Sequence, residues 1–334
     1  MAGRSAGHPG TVTKRVLALD PGSYRRHFIH GGGRIWAETN CYMDVWIELL
    51  HALGHEPVAA LPCTLAADFE GDQWTFFKIP LTDLYDLYGL DVQELAIWRP
   101  LTEHIEEQVE RGRPVLVELD SYFLPDTAGA AYRQAHMKST VAVVEIDVSR
   151  RHLGYFHNQG YHHVDGEDFL DLFRLSGTPD PAFLPPYVEF VKIRRRAGLD
   201  EPLLRRSLRL LRRHLGLLPD ENPFPRFRSR FEQDLPRLMN GSLETFHQYS
   251  FATLRQYGAC FELAQTYLRW LAEQGEQGLD EASDALREIA EAAKVFQFQL
   301  ARAIGRRKPL DLSPFETMAD CWLRATGILR ARYL

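Results

Sequence analysis

The chain has 334 residues, 45% hydrophobic and 25% charged, with a formal net charge of −6. That balance excludes a disordered or fibrous chain and gives no bulk electrostatic reason to bind nucleic acid. No apolar run approaches the ~20 residues of a membrane span and no signal-peptide core is evident, so a cytoplasmic protein without membrane association is expected.

The elements divide the chain into three stretches: a loose tail over 1–14, an α+β domain over 15–196 and an all-helical domain over 197–334. A helix is predicted from Cys41 to Leu53, where Trp46, Leu49, Leu50 and Leu53 keep one face apolar and Gly54 and Pro57 supply the stop. Short helices follow over Leu81–Tyr88 and Leu101–Glu110. Pro114–Leu119, Thr140–Ile146, Leu153–His157 and Tyr187–Ile193 read as strands of a mainly antiparallel sheet, with a short helix over Gly166–Phe173. Beyond Arg196 the strand signal ends. Glu201–His214, Ser229–Met239, Leu243–Gln274, Leu279–Gly305 and Ser313–Tyr333 carry helical periodicity, and Leu217–Pro225 is a proline-punctuated connector.

The four cysteines, Cys41, Cys63, Cys260 and Cys321, form no CxxC pair, which excludes zinc-ribbon and thioredoxin-like readings. Cys41 is placed differently from the others, where loop-like sequence becomes a helix. It is either a small core residue or a nucleophile. Thr39 or Asn40 suits the N-cap, putting Cys41 in the first turn, where unpaired backbone N–H groups favour a thiolate and can hold an oxyanion. A nucleophilic cysteine needs a base and a group that orients it. His136, just before a strand pattern, is the candidate base. Asn158, at the end of the next strand pattern, is the candidate orienting group, with Asp147 as runner-up.

The order Cys41, His136, Asn158 is that of a papain-type site. "RIWAETNCYMDVWIELLHALG", "FEGDQWTFFKIP", "LPDTAGAAYRQAHMKST", "LGYFHNQGYHHVDGEDF" and "FHQYSFATLRQYGACFELAQTYLRWL" resemble signature stretches of a bacterial family of unknown function. That resemblance implies an association with genes for amino acid:carrier-protein ligases. A more distant likeness is to papain-like bacteriocin-leader peptidases and the butirosin-biosynthesis acyltransferase, carried also by Gly160, Tyr161, Val164 and Phe169. It implies a papain-like N-terminal domain followed by a helical one, and transfer of an aminoacyl group from a carrier-protein thioester to an amine. The peptidases carry a Gln before the Cys, where Ile35 and Trp36 stand here. Asn40 or Glu38 would substitute, or backbone N–H groups alone would serve.

Other residues carry weaker expectations. Glu70, Asp72, Gln73, Trp74 and Lys78 fit a ligand pocket or lid, or a polar turn before a strand over Trp74–Ile79. Asp120, Tyr122 and Asp126, with Glu118, follow a strand and suit the ammonium of an aminoacyl donor, or a turn. His157, His162, His163, Asp165 and Asp168 match no metal spacing, and no metal is expected. The glycine-rich "HGGGR" at His30–Arg34 is expected to be a flexible loop. His247, Tyr249, Arg255 and Gln256 read as core packing with one buried polar pair.

Arginines at 194–196, 205, 206, 209, 212 and 213 form a solvated face or a docking face. Arg226, Arg228 and Arg230 could meet an acidic carrier or its phosphopantetheine phosphate. The expectation is a cysteine-dependent acyltransferase that binds no cofactor of its own and takes an aminoacyl carrier protein, and its ligase, as partners. The alternatives are a hydrolase on the same residues and an inactive binding scaffold.

Overall fold

The computed structural model describes residues 13–177, 184–194 and 199–334. Most of the expected tail, and Arg195 and Arg196, lie outside them. In chain order the elements are β1 (Lys14–Arg15), α1 (Cys41–Ala52), α2 (Leu81–Tyr88), β2 (Leu90–Glu94), α3 (Leu101–Glu110), β3 (Val115–Asp120), β4 (Lys138–Asp147), β5 (His152–His157), β6 (Gly160–Asp165), α4 (Gly166–Leu172), β7 (Val188–Ile193), α5 (Leu203–Leu215), α6 (Pro223–Asn240), α7 (Leu243–Ala252), α8 (Leu254–Glu273), α9 (Asp280–Arg306) and α10 (Pro314–Tyr333). The fold is α+β, with an open, mainly antiparallel sheet in the N-terminal part and a helical C-terminal region. Among the described residues, no helix is long and apolar enough to cross a membrane.

The chain packs as two compact units that do not follow chain order. One comprises 1–26 and 91–194, the other 27–90 and 195–334. The stretch holding α1 thus belongs with the C-terminal helices, although it precedes most of the sheet.

In the first unit the strand order is β2-β7-β3-β4-β5-β6, with β1 pairing β4. The pairings of β4 with β1, β3 and β5, of β3 with β7 and of β5 with β6 are antiparallel. Alternation sends Val115, Val117 and Leu119 of β3, Val141 and Val143 of β4 and Tyr155 of β5 into one core with Ile105 and Val109 of α3 and Phe169 and Leu172 of α4. The β4–β5 register shifts between Val143 and Glu145, a bulge. Asp120 stands opposite Lys138, so the end of β3 and the start of β4 lie together.

In the second unit, α1 is buried continuously from Tyr42 to Leu50, as expected of a helix enclosed by its neighbours. A 3-10 helix over Pro57–Ala66 packs against α1, α5 and α8, and α8, α9 and α10 stack in turn. Trp74, expected in a ligand pocket, is a core residue: it is 1% exposed among Phe69, Phe224, Phe227, Tyr257 and Phe261. The segment after it is no strand. Phe69 and Trp74 make only an isolated bridge around an exposed turn of Glu70, Gly71, Asp72 and Gln73. The single helix expected over Leu243–Gln274 is two, separated at Thr253.

Candidate functional site

Cys41 is the first residue of α1. Asn40 caps the helix, its side-chain oxygen accepting from Met43 N at 3.1 Å, while its Nδ2 donates to Phe77 O at 2.7 Å. Asn40 is 1% exposed, and one of the two Nδ2 hydrogens is committed to Phe77 O. Glu38, the other expected substitute, has φ +52° and its carbonyl accepts from Arg255 Nη2 at 3.2 Å. The first turn of an α-helix directs its backbone N–H groups toward the helix start, where Cys41 stands. None of the four cysteines is in a disulfide.

The loop before Cys41 is not the flexible one expected. His30, fully buried, contacts Glu48 through Nδ1 and reaches Asp44 Oδ1 with Nε2 at 3.1 Å. Arg34, also buried, bonds Asp44 Oδ1 at 2.9 Å and lies 3.5 Å from Glu262, which accepts from Ile35 N at 2.5 Å and Trp36 N at 3.0 Å. Burial opposes charge on His30, but its bonds to Asp44 and Glu48 prevail and raise its pKa. Burial likewise works against the Asp44 carboxylate, yet Arg34 and His30 hold its pKa below the usual value. Trp36 then docks with its indole N–H on Ala290 O at 2.9 Å, against Gly258, where any Cβ would collide with the ring. The segment leading into α1 is pinned at both ends by buried charges and an indole.

In the first unit, His136 lies just before β4. Its Nδ1 bonds Asp120 Oδ2 at 2.6 Å, and its ring stacks on Tyr122 with centroids 4.3 Å apart and planes 11° from parallel. The side chain is 68% exposed. With Nδ1 on a carboxylate, Nε2 is the outward nitrogen, the arrangement a general base requires. The supporting loop is fixed locally: Ser121 N and Oγ both donate to Met137 O, Thr127 Oγ1 donates to Ser121 O and Arg133 N to Tyr122 O.

His136, Asp120, Glu118 and Lys138 line a cavity of about 530 Å³ with Ile97, Phe123, Leu172 and other apolar side chains. The Glu118 carboxylate is already paired with Lys138 Nζ at 2.8 Å.

Asn158 has φ +47° in the two-residue turn between β5 and β6, the left-handed backbone that asparagine tolerates. Asp147 is buried and caps the β4–β5 turn, accepting from Ser149 Oγ at 2.7 Å, Arg150 N at 3.0 Å and Thr13 Oγ1 at 3.1 Å. Asp126, expected to bind substrate, is buried against Tyr155 Oη and His157 Nδ1, both at 2.5 Å; His157 Nε2 in turn meets Ser139 Oγ at 2.6 Å. Burial disfavours the Asp126 anion, but His157, together with smaller contributions from His162 and the Tyr155 hydroxyl, outweighs it and lowers its pKa. The partner of His136 is instead Asp120, whose proximity follows from the β3–β4 register, a pairing that no single stretch of sequence displays.

Arg226, Arg228 and Arg230 are engaged with Asp68, with Glu232 and Glu316, and with Asp234. Of the expected buried polar pair in α7 and α8, Gln256 is 1% exposed with its amide atoms unpartnered among the described residues.

The chain matches a family model for the DUF1839 N-terminal domain over residues 25–193 and one for the DUF1839 C-terminal domain over 200–331. No curated protein matches it. The two family models follow one another along the chain, whereas each compact unit is built from two separate stretches of it. The chain is thus a member of the two-domain DUF1839 family, whose function is unknown.

Proposed function

We propose that this protein is a cysteine-dependent acyltransferase of papain-like type, with Cys41 as nucleophile, His136 as base and Asp120 as the group that orients it. The carrying observation is the His136–Asp120 pair, whose exposed imidazole is among the side chains lining a mainly apolar cavity. A cysteine opening a capped helix needs such a base.

In the proposed reaction His136 takes the Cys41 proton. The thiolate attacks the thioester carbonyl carbon of an acyl or aminoacyl carrier protein, and first-turn N–H groups of α1 hold the oxyanion. The bond to the phosphopantetheine sulfur breaks, and that thiol leaves with the proton from His136. An amine then attacks the acyl-Cys41 carbonyl, gives its proton to His136 and releases the Cys41 thiol. The apolar cavity fits an apolar acyl side chain. Water in place of the amine would make the same residues a thioesterase or amidase.

The test is the rate of Cys41 alkylation by iodoacetamide across pH, read by peptide mass spectrometry, in wild type, His136→Ala and Asp120→Asn. Alkylation near neutral pH that collapses in His136→Ala and weakens in Asp120→Asn supports the reading. Identical profiles in all three proteins would reduce Cys41 to a packing residue and favour a binding scaffold.

A further inference from the structure

We infer that β4, β5 and β6 carry a binding site for one divalent transition-metal ion of the zinc class, formed by Glu145, His152 and His163. The inference is independent of the Cys41 chemistry.

Each of the three residues comes from a different strand. Register sets Glu145 and His163 on either side of Gly154, and His152 lies two residues along β5 from Gly154, hence on the same face. Gly154 leaves no side chain between them, and a Cβ there would collide with Tyr161 Oη. One donor atom from each of Glu145, His152 and His163 lies within 4.8 Å of the others. The closest measured approach is His152 Nε2 to Glu145 Oε1 at 3.8 Å. Ligands at about 2.0–2.2 Å from a tetrahedral ion stand roughly 3.5 Å apart, so small side-chain rotations close the site.

Two further features support an ion over a chance cluster. His152 Nδ1 bonds Asp165 Oδ1 at 2.6 Å. A carboxylate there fixes the tautomer that turns the Nε2 lone pair toward Glu145, the usual support of a metal-binding histidine. Tyr161 Oη donates to Glu145 Oε2 and meets His163 Nε2, each at 3.3 Å, and so ties the two proposed ligands together. The nearby cation, Arg15, is half-exposed with Nη2 3.9 Å from Glu145 Oε1. Imidazole and carboxylate donors suit zinc, and three protein ligands leave a fourth position for water.

The experiment titrates Zn²⁺ and Co²⁺ into the chelator-treated full-length protein, by calorimetry and visible absorption. One ion per chain is expected, with tetrahedral Co²⁺ bands lacking thiolate charge transfer. Binding should vanish in His152→Ala/His163→Ala and weaken roughly 10–100-fold in Asp165→Asn. Circular dichroism checks that the variants fold; should the double variant fail, His163→Gln replaces it. Absence of saturable binding would overturn the site and leave His152 as a hydrogen-bonding partner of Asp165. Binding that persists unchanged in the variants, or a Co²⁺ spectrum with thiolate charge transfer, would overturn it by placing the ion elsewhere.

Discussion

Two histidines of the sheet unit make the same first contact and differ in everything else. His136 and His157 each give Nδ1 to a carboxylate at hydrogen-bonding distance, Asp120 and Asp126 respectively. His157 is 1% exposed and its Nε2 is engaged by Ser139, so the Ser139–His157–Asp126 row has the outline of a hydrolytic triad inside a packed network. His136 is 68% exposed, with Nε2 turned outward beside a cavity. A short row of distances describes both. Access of the second nitrogen to a reactant separates a base from a brace.

The comparison can be broken by mutation. The largest effect belongs to the fully buried charges of the helical unit. Arg34→Met takes the arginine from buried Asp44, leaving it His30 alone, and should cost about 3–5 kcal/mol in urea denaturation. His157→Ala leaves Asp126 buried without its main partner and should cost about 1–3 kcal/mol, while Cys41 alkylation of the folded protein stays at the wild-type rate. A loss of alkylation there would move the base from His136 to His157.

A pH effect comes next. His30 has its pKa raised in the folded state, so its stabilisation is complete below the unfolded value near 6.5 and is lost as pH rises through the raised value. The melting temperature of wild type should therefore fall relative to His30→Gln as pH rises from about 6.5; parallel curves would mean that His30 carries no extra proton. Smallest is His136→Ala, which should change stability by no more than about 0.5 kcal/mol, as for an exposed side chain, while abolishing the alkylation advantage of Cys41. A large destabilisation would make His136 structural after all.

Helices were legible where local chemistry settles them. Asn40 as cap and the apolar run behind it define α1 without help from the rest of the chain. The break at Thr253 was not, because no Gly or Pro marks it; Ala252 O instead accepts from Trp74 N at 3.2 Å, a contact made only in the folded unit. Strand β6 was hidden by its own polarity, with His162, His163 and Asp165 in six residues. "HNQG" is also a two-residue hairpin turn, and the left-handed backbone of Asn158 belongs to that turn. Asp120 was noticed, but its role depends on pairing across strands, which a linear pattern does not carry.

The interleaving of the two units bears on synthesis. Residues 27–90, with Trp36, Trp74 and the whole of α1, leave the ribosome before residue 195, yet the helices they pack with come only afterwards. The intervening sheet segment can fold while that stretch waits with its aromatic side chains uncovered. A fragment ending near residue 196 therefore resembles a stalled nascent chain more than a domain. Chaperone binding to such a fragment, lost once the last helix is complete, is the expected cellular signature.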